Sequence, residues 1–389
     1  MAAQLGKPGF AAAKLDQTAL ESALNGGDTA LLGETARLKL TPLPTDFSAR
    51  IATVQRLSEL MPADSETAVN AASMLMQARQ FIPAAQAYQR ARRADPDWTA
   101  LHNEAAFGFA FAGDISAAVA AVEAYRKLEP RSANPDDSLG EIYFLVRRFD
   151  DSQRAFLAAF AKDPSFFGGA TLRKAADARR ASGNQPEADR LFARYAEVNA
   201  KRPLIGLEKA QWDYTSGRTK EALDALEAFA PKLNASQVWT QLAAWRAVNG
   251  GDAAGAAKLG LQTAKTAAEQ QSAVTALFAA QPDASTAEWQ ARAAKQFPPA
   301  AAALAHQALV YALVLRKHWS EAIPMIAAQR NALPPATAGP WQALLAVALQ
   351  ESGQNDKAKT ELRFAPIPRT VGDPTWDFLA YPKVWKILP

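Results

Sequence analysis

A proline recurs every 34 residues in the first half of this 389-residue chain, at Pro62, Pro96, Pro130 and Pro164. Each of them follows a segment of helix-like character, and the residue before a proline avoids helical dihedral angles. Proline therefore ends a helix at the same point of each unit. A fixed period of this length is typical of stacked helical hairpins, in which no unit buries its apolar face alone.

Composition excludes several classes of protein. Hydrophobic residues make up 49% and charged residues 21% of the chain, which predicts a folded and not a disordered protein. The 43 basic and 39 acidic residues are interspersed, so the net charge of +4 is not a basic stripe and nucleic acid is not the expected partner. With no cysteine and three scattered histidines, we predict no metal site, no cofactor and no cysteine nucleophile.

The first 15 residues lack the apolar run of a signal peptide, and no window approaches the ~18 apolar residues of a membrane span. The sequence therefore predicts a soluble protein. A chain without cysteine suits the cytoplasm or the periplasm, and the compartment stays open. Its abundance of alanine, with more arginine than lysine, suggests a bacterial source.

The clearest unit runs from Ala133 to Phe166, with Gly140 between large residues in its first helix and Phe156 and Ala159 in its second. Two similar units precede it, so the best copies span residues 65–166. This pattern resembles the tetratricopeptide repeat. The resemblance implies an all-α fold, a right-handed superhelical solenoid of helix-turn-helix repeats, in which small residues form notches for large side chains of the adjacent helix.

The repeat continues in weaker form, because Gly183, Gly217 and Gly251 keep the 34-residue spacing at the turns. Residues 267–302 fit poorly and are interpreted as a degenerate hairpin, although Ser285 and Glu288 form a capping box that starts a helix there. The predicted organisation is an N-terminal helical cap at 1–46, a repeat array at 47–365 and a C-terminal tail rich in aromatic residues and proline at 366–389.

The tail carries Trp376, Phe378, Tyr381 and Trp385. The last unit of a stacked array exposes an apolar face that must be covered. We therefore expect the tail to cap that face, with the alternative that it enters the groove of a neighbouring molecule and makes the protein self-associate.

Two groups of charged residues allow a chemical and a structural interpretation. Asp137 and Glu141 share one helix face like a paired carboxylate site, but Asp136 and Asp137 also lie where a helix N-terminus favours negative charge, and we expect that role. The arginine-rich runs suit an anionic ligand or a solvated helix face. They comprise Arg90, Arg92 and Arg93, and then Arg173, Lys174, Arg179 and Arg180.

The tetratricopeptide resemblance implies that the first helix of each pair lines a concave groove that holds a peptide. Its positions that do not pack combine aromatic side chains, amides and a few charges, which suit peptide side chains and backbone. These predicted groove residues are Asn103, Phe107, Phe111, Asp137, Glu141, Phe144, Arg173, Asp177, Arg180, Gln211, Tyr214, Gln241, Trp245, Gln307 and Tyr311.

The sequence therefore predicts a non-catalytic scaffold that binds a protein or peptide in this groove. Val69, Ser73, Asn103 and Phe107 do not match the clamp with which relatives hold the carboxylate of a chaperone tail. One alternative is a sensor or regulatory module of a larger bacterial signalling or transcriptional regulator, because Asp373-Pro374 and the aromatic residues after it resemble a tail found in such proteins. An enzyme and a nucleic-acid binder are further alternatives.

Overall fold

The structure is a computed structural model, which describes residues 34, 37–39, 41–333, 335–362, 374–380, 383, 384 and 387. These residues form helices, turns and connecting segments and no β-strand, which confirms the all-α fold class. Most of the predicted N-terminal cap, together with the tail residues Tyr381 and Trp385, lies outside the described residues.

The chain divides into two compact units, Met1–Leu128 and Glu129–Pro389. Aspartate side chains start two helices of the first unit, because Asp46 accepts a hydrogen bond from the backbone N–H of Ala49 and Asp64 accepts one from that of Thr67. The helices described in the first unit are α1 (Phe47–Leu60), α2 (Ser65–Gln77), α3 (Phe81–Ala94), α4 (Thr99–Phe111) and α5 (Ile115–Leu128).

The second unit is a stack of helix pairs. In each pair the even-numbered helix comes first along the chain, and we call it the first helix of that pair. Short 3-10 turns occupy Phe166–Gly169, Pro299–Ala301 and Pro374–Leu379, and the last of these is called the C-terminal segment below. The helices are α6 (Asn134–Leu145), α7 (Phe149–Lys162), α8 (Ala170–Ala181), α9 (Gln185–Val198), α10 (Ile205–Thr215), α11 (Thr219–Leu233), α12 (Ser236–Asn249), α13 (Ala253–Thr263), α14 (Ala267–Ala279), α15 (Thr286–Gln296), α16 (Ala302–Leu315), α17 (Trp319–Ala332), α18 (Pro335–Glu351) and α19 (Asn355–Leu362).

The helix ends follow the predicted period. Helices α1, α3, α5 and α7 each end two residues before one of the four spaced prolines. At the turns within pairs, Gly183, Gly217 and Gly251 have φ angles of +81°, +88° and +111°, which only glycine adopts without strain. At the start of α6, Asn134 is the first helical residue and Ala133 occupies the capping position.

Close approach of paired helices depends on a missing side chain. A Cβ atom built on Gly140 of α6 would lie 2.5 Å from the ring of Phe156 of α7, so the ring fills the space above the glycine. Phe156 is fully buried there. The notch predicted from the repeat pattern is therefore present, and the two helices pack more closely than any larger residue permits.

The stretch 267–302 contains α14 and α15, joined by six residues, 280–285. Ser285 and Glu288 form the predicted capping box at the start of α15, and Thr266 and Glu269 form a second one at the start of α14, which the sequence analysis missed. Helix α14 packs against α12 and α16, while α15 packs against α16. The irregularity is thus a longer connection between two well-capped helices.

The two ends of the second unit meet. The guanidinium of Arg147, in the turn after α6, donates a hydrogen bond to the backbone carbonyl of Leu362 at the end of α19. The helix pairs at the two ends of the unit are therefore in contact. The C-terminal segment contacts α10, α12 and α16, each the first helix of its pair.

None of the described helices is by itself long and apolar enough to cross a membrane. Thr286–Gln296 and Pro299–Leu315 reach such a length only as a pair, and that pair is bent by 117°.

Candidate functional site

Aromatic residues of four first helices form two stacked pairs in the second unit. Tyr214 of α10 stacks on Trp245 of α12 with ring centroids 4.3 Å apart, and Tyr311 of α16 lies parallel to Trp341 of α18 at 5.9 Å. We call the surface formed by these four side chains, together with Gln211, Gln241 and Gln307, the inner face.

Amides continue the inner face between the rings. The side-chain amide of Gln211 donates to that of Gln241 at 2.7 Å, and Gln307 donates to the hydroxyl of Tyr311 at 3.1 Å. The six predicted groove residues of α10, α12 and α16 are thus linked in three pairs: Gln211 with Gln241, Tyr214 with Trp245, and Gln307 with Tyr311. This arrangement offers both apolar surface and hydrogen-bonding groups.

The C-terminal segment lies on the inner face. Trp376 stacks on Tyr311 with ring centroids 4.6 Å apart, and Phe378 meets Tyr214 edge-on at 5.4 Å. The side-chain amide of Gln241 donates to the backbone carbonyl of Thr375 at 2.9 Å. The inner face therefore already holds a short peptide by its backbone and by two aromatic side chains.

The expected capping of the last pair by the whole tail stays a prediction, because much of residues 366–389 lies outside the described residues. The aromatic side chains of the segment find partners on α10 and α16, deep in the unit, and both Trp376 and Phe378 are buried. Further along the tail, Lys383 pairs with Glu351 of α18 at 2.9 Å.

Arg173 of α8 is paired with an acidic residue. Its guanidinium lies 3.7 Å from the carboxylate of Glu208. Burial works to lower the pKa of Arg173, but Asp177, Glu208 and, on the C-terminal segment, Asp377 outweigh it and raise that pKa. Arg173 therefore stays a cation, and it provides a positive group beside the bound segment.

The predicted groove residues of α6 and α8 are joined by ion pairs. Lys174 binds the carboxylates of both Asp137 and Glu141 at 2.7 Å. Arg180 pairs with Asp177 at 2.6 Å. The expectation that Asp137 belongs to the first turn of a helix is confirmed, and its ion pair with Lys174 is an additional role.

Two other predicted groove residues, Phe144 and Phe111, pack against neighbouring rings. Phe144 is buried against the edge of Phe149 at 5.3 Å. In the first unit, Phe111 is buried and stacks on Phe81 at 5.4 Å, while Asn103 and Phe107 are half-buried on the same helix, α4. Since Phe111 packs against its neighbouring helix, it fills a gap in its own unit.

A cavity of about 660 Å³ lies beside the C-terminal segment in the second unit. Most of the side chains that line it carry an amide or a hydroxyl group, and a few are charged or aliphatic. The lining residues are Arg173, Leu204, Leu207, Glu208, Gln211, Ser236, Gln237, Thr240, Gln241, Thr266, Ala268, Glu269, Gln271, Ser272, Thr275, Leu304, Gln307, Thr375 and Asp377.

The remaining chemical candidates have structural partners. His102 accepts from Arg92 at 3.0 Å, and its second ring nitrogen lies 2.6 Å from the carbonyl oxygen of Pro96. Arg179 pairs with Asp150. No group of three or more His, Asp or Glu suited to a metal ion is found among the described residues. The arginine-rich runs are thus partly engaged with partners of their own units, an arrangement that neither sequence interpretation anticipated.

Asp189 of α9 supports the helices behind the inner face, and it makes stability depend on pH. Burial works to raise its pKa, but hydrogen bonds from Arg218, Trp212 and Gln185 outweigh it and hold the pKa below its ordinary 3.8. A carboxyl group whose pKa is lowered by folding stabilises the folded state above its unfolded pKa and ceases to do so as pH falls through the folded pKa.

We therefore expect Asp189→Asn to lower the urea midpoint at pH 7, with a smaller difference from wild type at pH 3. Urea unfolding of both proteins at the two pH values measures this. An unchanged difference at pH 3 contradicts the assignment.

Sequence reasoning missed Glu208 and Trp341, although both have readable signals. Trp341 lies 30 residues after Tyr311, near the repeat spacing, and it follows a proline inside α18. Glu208 stands three residues before Gln211 on the same helix. The period does not reveal that the C-terminal segment folds back onto the inner face.

No family model and no curated protein matches the chain. Among solved structures, a MamA protein is 17% identical with a TM-score of 0.35, over 45% of this chain and 92% of that chain. MamA from residue 41 onward, from Desulfovibrio magneticus RS-1, is 14% identical with a TM-score of 0.34, over 45% and 98%. YrrB, described as a TPR protein with an unusual peptide-binding site, is 14% identical with a TM-score of 0.34, over 49% and 97%.

The repeat architecture follows from the chain's own geometry. Its helices form hairpins whose ends recur at 34 residues through α7. Gly140 and Gly206 of first helices face the rings of Phe156 and Phe229 of second helices. The chain is thus an array of helical hairpins, the architecture that the sequence resemblance implied.

Proposed function

We propose that this protein is a non-catalytic binding module that holds a peptide segment of a protein partner on the inner face of its second unit. The observation that carries the proposal is the bond from the amide of Gln241 to the backbone carbonyl of Thr375, made while Trp376 and Phe378 contact rings of the first helices. A surface that binds one peptide in this way has the chemistry to bind another.

The energetics favour peptide recognition. Burying an aromatic side chain contributes about 1.5–3 kcal/mol, and a pair of stacked rings adds about 0.5–1.5 kcal/mol. The face is preformed by packed helices, so most of the ordering entropy on binding is lost by the ligand. The cavity of about 660 Å³ beside the segment leaves room and amide groups for further residues of a longer ligand.

The charged residues beside the inner face suit holding a ligand more than acid–base chemistry. Arg173 and Glu208 lie 3.7 Å apart, and Asp177 pairs with Arg180. Such mutual pairing occupies the basic groups and leaves them poorly placed for a nucleic-acid backbone. We therefore propose a protein or peptide ligand in preference to nucleic acid.

The test is selection from an unbiased displayed peptide library. Because the C-terminal segment covers part of the face, the full chain serves as bait both as wild type and with Trp376→Ala and Phe378→Ala. We expect selected peptides to lose at least tenfold in affinity when Tyr311→Ala and Gln241→Ala are added, because a ring platform and a backbone donor are removed.

The matched control is Tyr143→Ala, which removes a half-buried tyrosine of α6 that packs on Arg148 at 4.5 Å and is not part of the inner face. This variant should bind the selected peptides as the bait does. Peptides that bind the face variant and the bait equally well would show that ligands bind elsewhere. The circular dichroism and melting temperature of each variant establish that it is folded.

A further inference from the structure

The C-terminal segment has the features of a ligand bound to the inner face. It is a short 3-10 turn, Pro374–Leu379, and it contacts the first helices α10, α12 and α16 of three different pairs. Trp376 and Phe378 retain only 3% and 8% of their exposure. Contacts to several repeats at once are the way a groove of stacked hairpins holds a peptide.

The two aromatic side chains occupy separate subsites. Trp376 lies parallel to Tyr311, with an angle of 18° between the ring planes, whereas Phe378 stands at 78° to Tyr214. Only one residue separates them in sequence, and their centroids are 6.3 Å apart. A ligand that fills both subsites therefore needs two aromatic side chains two positions apart.

The residue between them is acidic. Asp377 and Arg173 line the same small cavity on the inner face, together with Gln241 and Trp245. Attraction between Asp377 and the cation of Arg173 favours an acidic residue at this position. The subsites thus define a ligand class, an acidic residue flanked by two aromatic residues.

One buried polar group of the C-terminal segment has no hydrogen-bond partner among the described residues, so a free peptide can replace the segment on the inner face. The indole N–H of Trp376 is buried and has no hydrogen-bond partner among the residues that the structure describes. A buried donor without a partner costs binding free energy. A phenylalanine in the same subsite avoids that cost.

We infer that the peptide ligands of the inner face carry an acidic residue flanked by two aromatic residues, and that the C-terminal segment competes with them from within the same chain. This inference rests on the proposed function and names its ligand class. Covalent attachment gives the segment an effective concentration on the order of millimolar. With an intrinsic dissociation constant of about 100 µM for the segment itself, a free peptide binds the occupied face about tenfold more weakly than the empty one.

The test uses a fluorescent synthetic peptide with the sequence Pro-Thr-Trp-Asp-Phe-Leu, that of residues 374–379. Its affinity is measured by anisotropy for the full-length wild type and for the full-length variant with Trp376→Ala and Phe378→Ala. We expect the variant to bind the peptide at least tenfold more tightly than wild type does. Adding Tyr311→Ala to the variant should abolish that gain.

Two controls isolate the cause. The variant Phe166→Ala with Phe167→Ala removes two aromatic side chains from another 3-10 turn of the same unit, and it should bind the peptide as weakly as wild type does. A peptide with the aspartate replaced by asparagine should bind the emptied face several-fold more weakly, and one with both aromatic residues replaced by alanine should not bind.

Equal affinity of wild type and the emptied variant, or no binding to either, overturns the inference. A wild-type dimer that becomes a monomer in the variant, measured by light scattering, also overturns it, because the segment then comes from a second copy. The library can also select peptides whose binding is lost with Tyr311→Ala and Gln241→Ala but which lack an acidic residue between two aromatic residues. In that case the proposed function holds and this inference fails. If the library selects no peptide whose binding is lost with these two substitutions, the proposed function itself fails.

Discussion

The variant Phe156→Ala should unfold with a free energy about 3–5 kcal/mol below that of wild type. Phe156 is fully buried in α7, and its ring fills the space over Gly140 of α6. Removing the ring leaves a cavity at the point where the two helices are closest, and a stacked array has only neighbouring pairs with which to compensate. Urea unfolding followed by circular dichroism measures the change.

A second substitution makes this prediction specific. Gly140→Leu alone should also destabilise the protein, because any Cβ there meets the ring of Phe156 at 2.5 Å. Combined with Phe156→Ala, the leucine occupies the space that the ring left, so the double variant should be more stable than the sum of the single effects predicts. As a control, Ala161→Leu changes an exposed position of the same helix and should leave the urea midpoint near that of wild type. If the two single effects on the free energy of unfolding simply add in the double variant, the interpretation of Gly140 as a notch for Phe156 is wrong.

Replacing Lys174 by alanine is expected to lower the free energy of unfolding by about 3 kcal/mol, because breaking a largely buried ion pair leaves charge in a poorly solvated site. The ammonium group binds Asp137 and Glu141 at 2.7 Å, and the side chain of Asp137 retains 7% of its exposure. Lys174→Ala therefore removes the cation that joins two carboxylates of α6 to α8.

The control for this charge effect is an exposed ion pair. Lys220 and Asp224 pair at 2.6 Å, but their side chains are 84% and 62% exposed. Lys220→Ala should leave the urea midpoint unchanged, since water solvates both charges. Equal losses from the two lysine substitutions would mean that burial is irrelevant to the Lys174 site.

Much of the architecture was predictable because it depends on short-range sterics. The spaced prolines end α1, α3, α5 and α7, and a glycine with positive φ follows several first helices. Ser285 and Glu288 start α15 as expected, and Thr266 with Glu269 carried the same signal for α14. Each of these features involves residues within a few positions of one another, so the local sequence suffices to predict them.

The candidate site was predictable only in part. The repeat register selected Tyr214, Trp245 and Tyr311, which the structure brings together with Gln211 and Gln241 on the first helices. The register also selected Phe111 and Phe144, which pack locally instead. Periodicity assigns a residue to a helix face, but whether that face is open or filled depends on the neighbouring side chains.

The sequence by itself determined an all-α array of hairpins, its period, its turns and the helix faces that carry aromatic residues. Only the tertiary structure decided that Arg147 meets Leu362 and that Trp376 lies on Tyr311. The reason is physical: small rotations between successive pairs accumulate over the whole unit. Contacts between residues 215 positions apart therefore depend on every pair between them and on no local pattern.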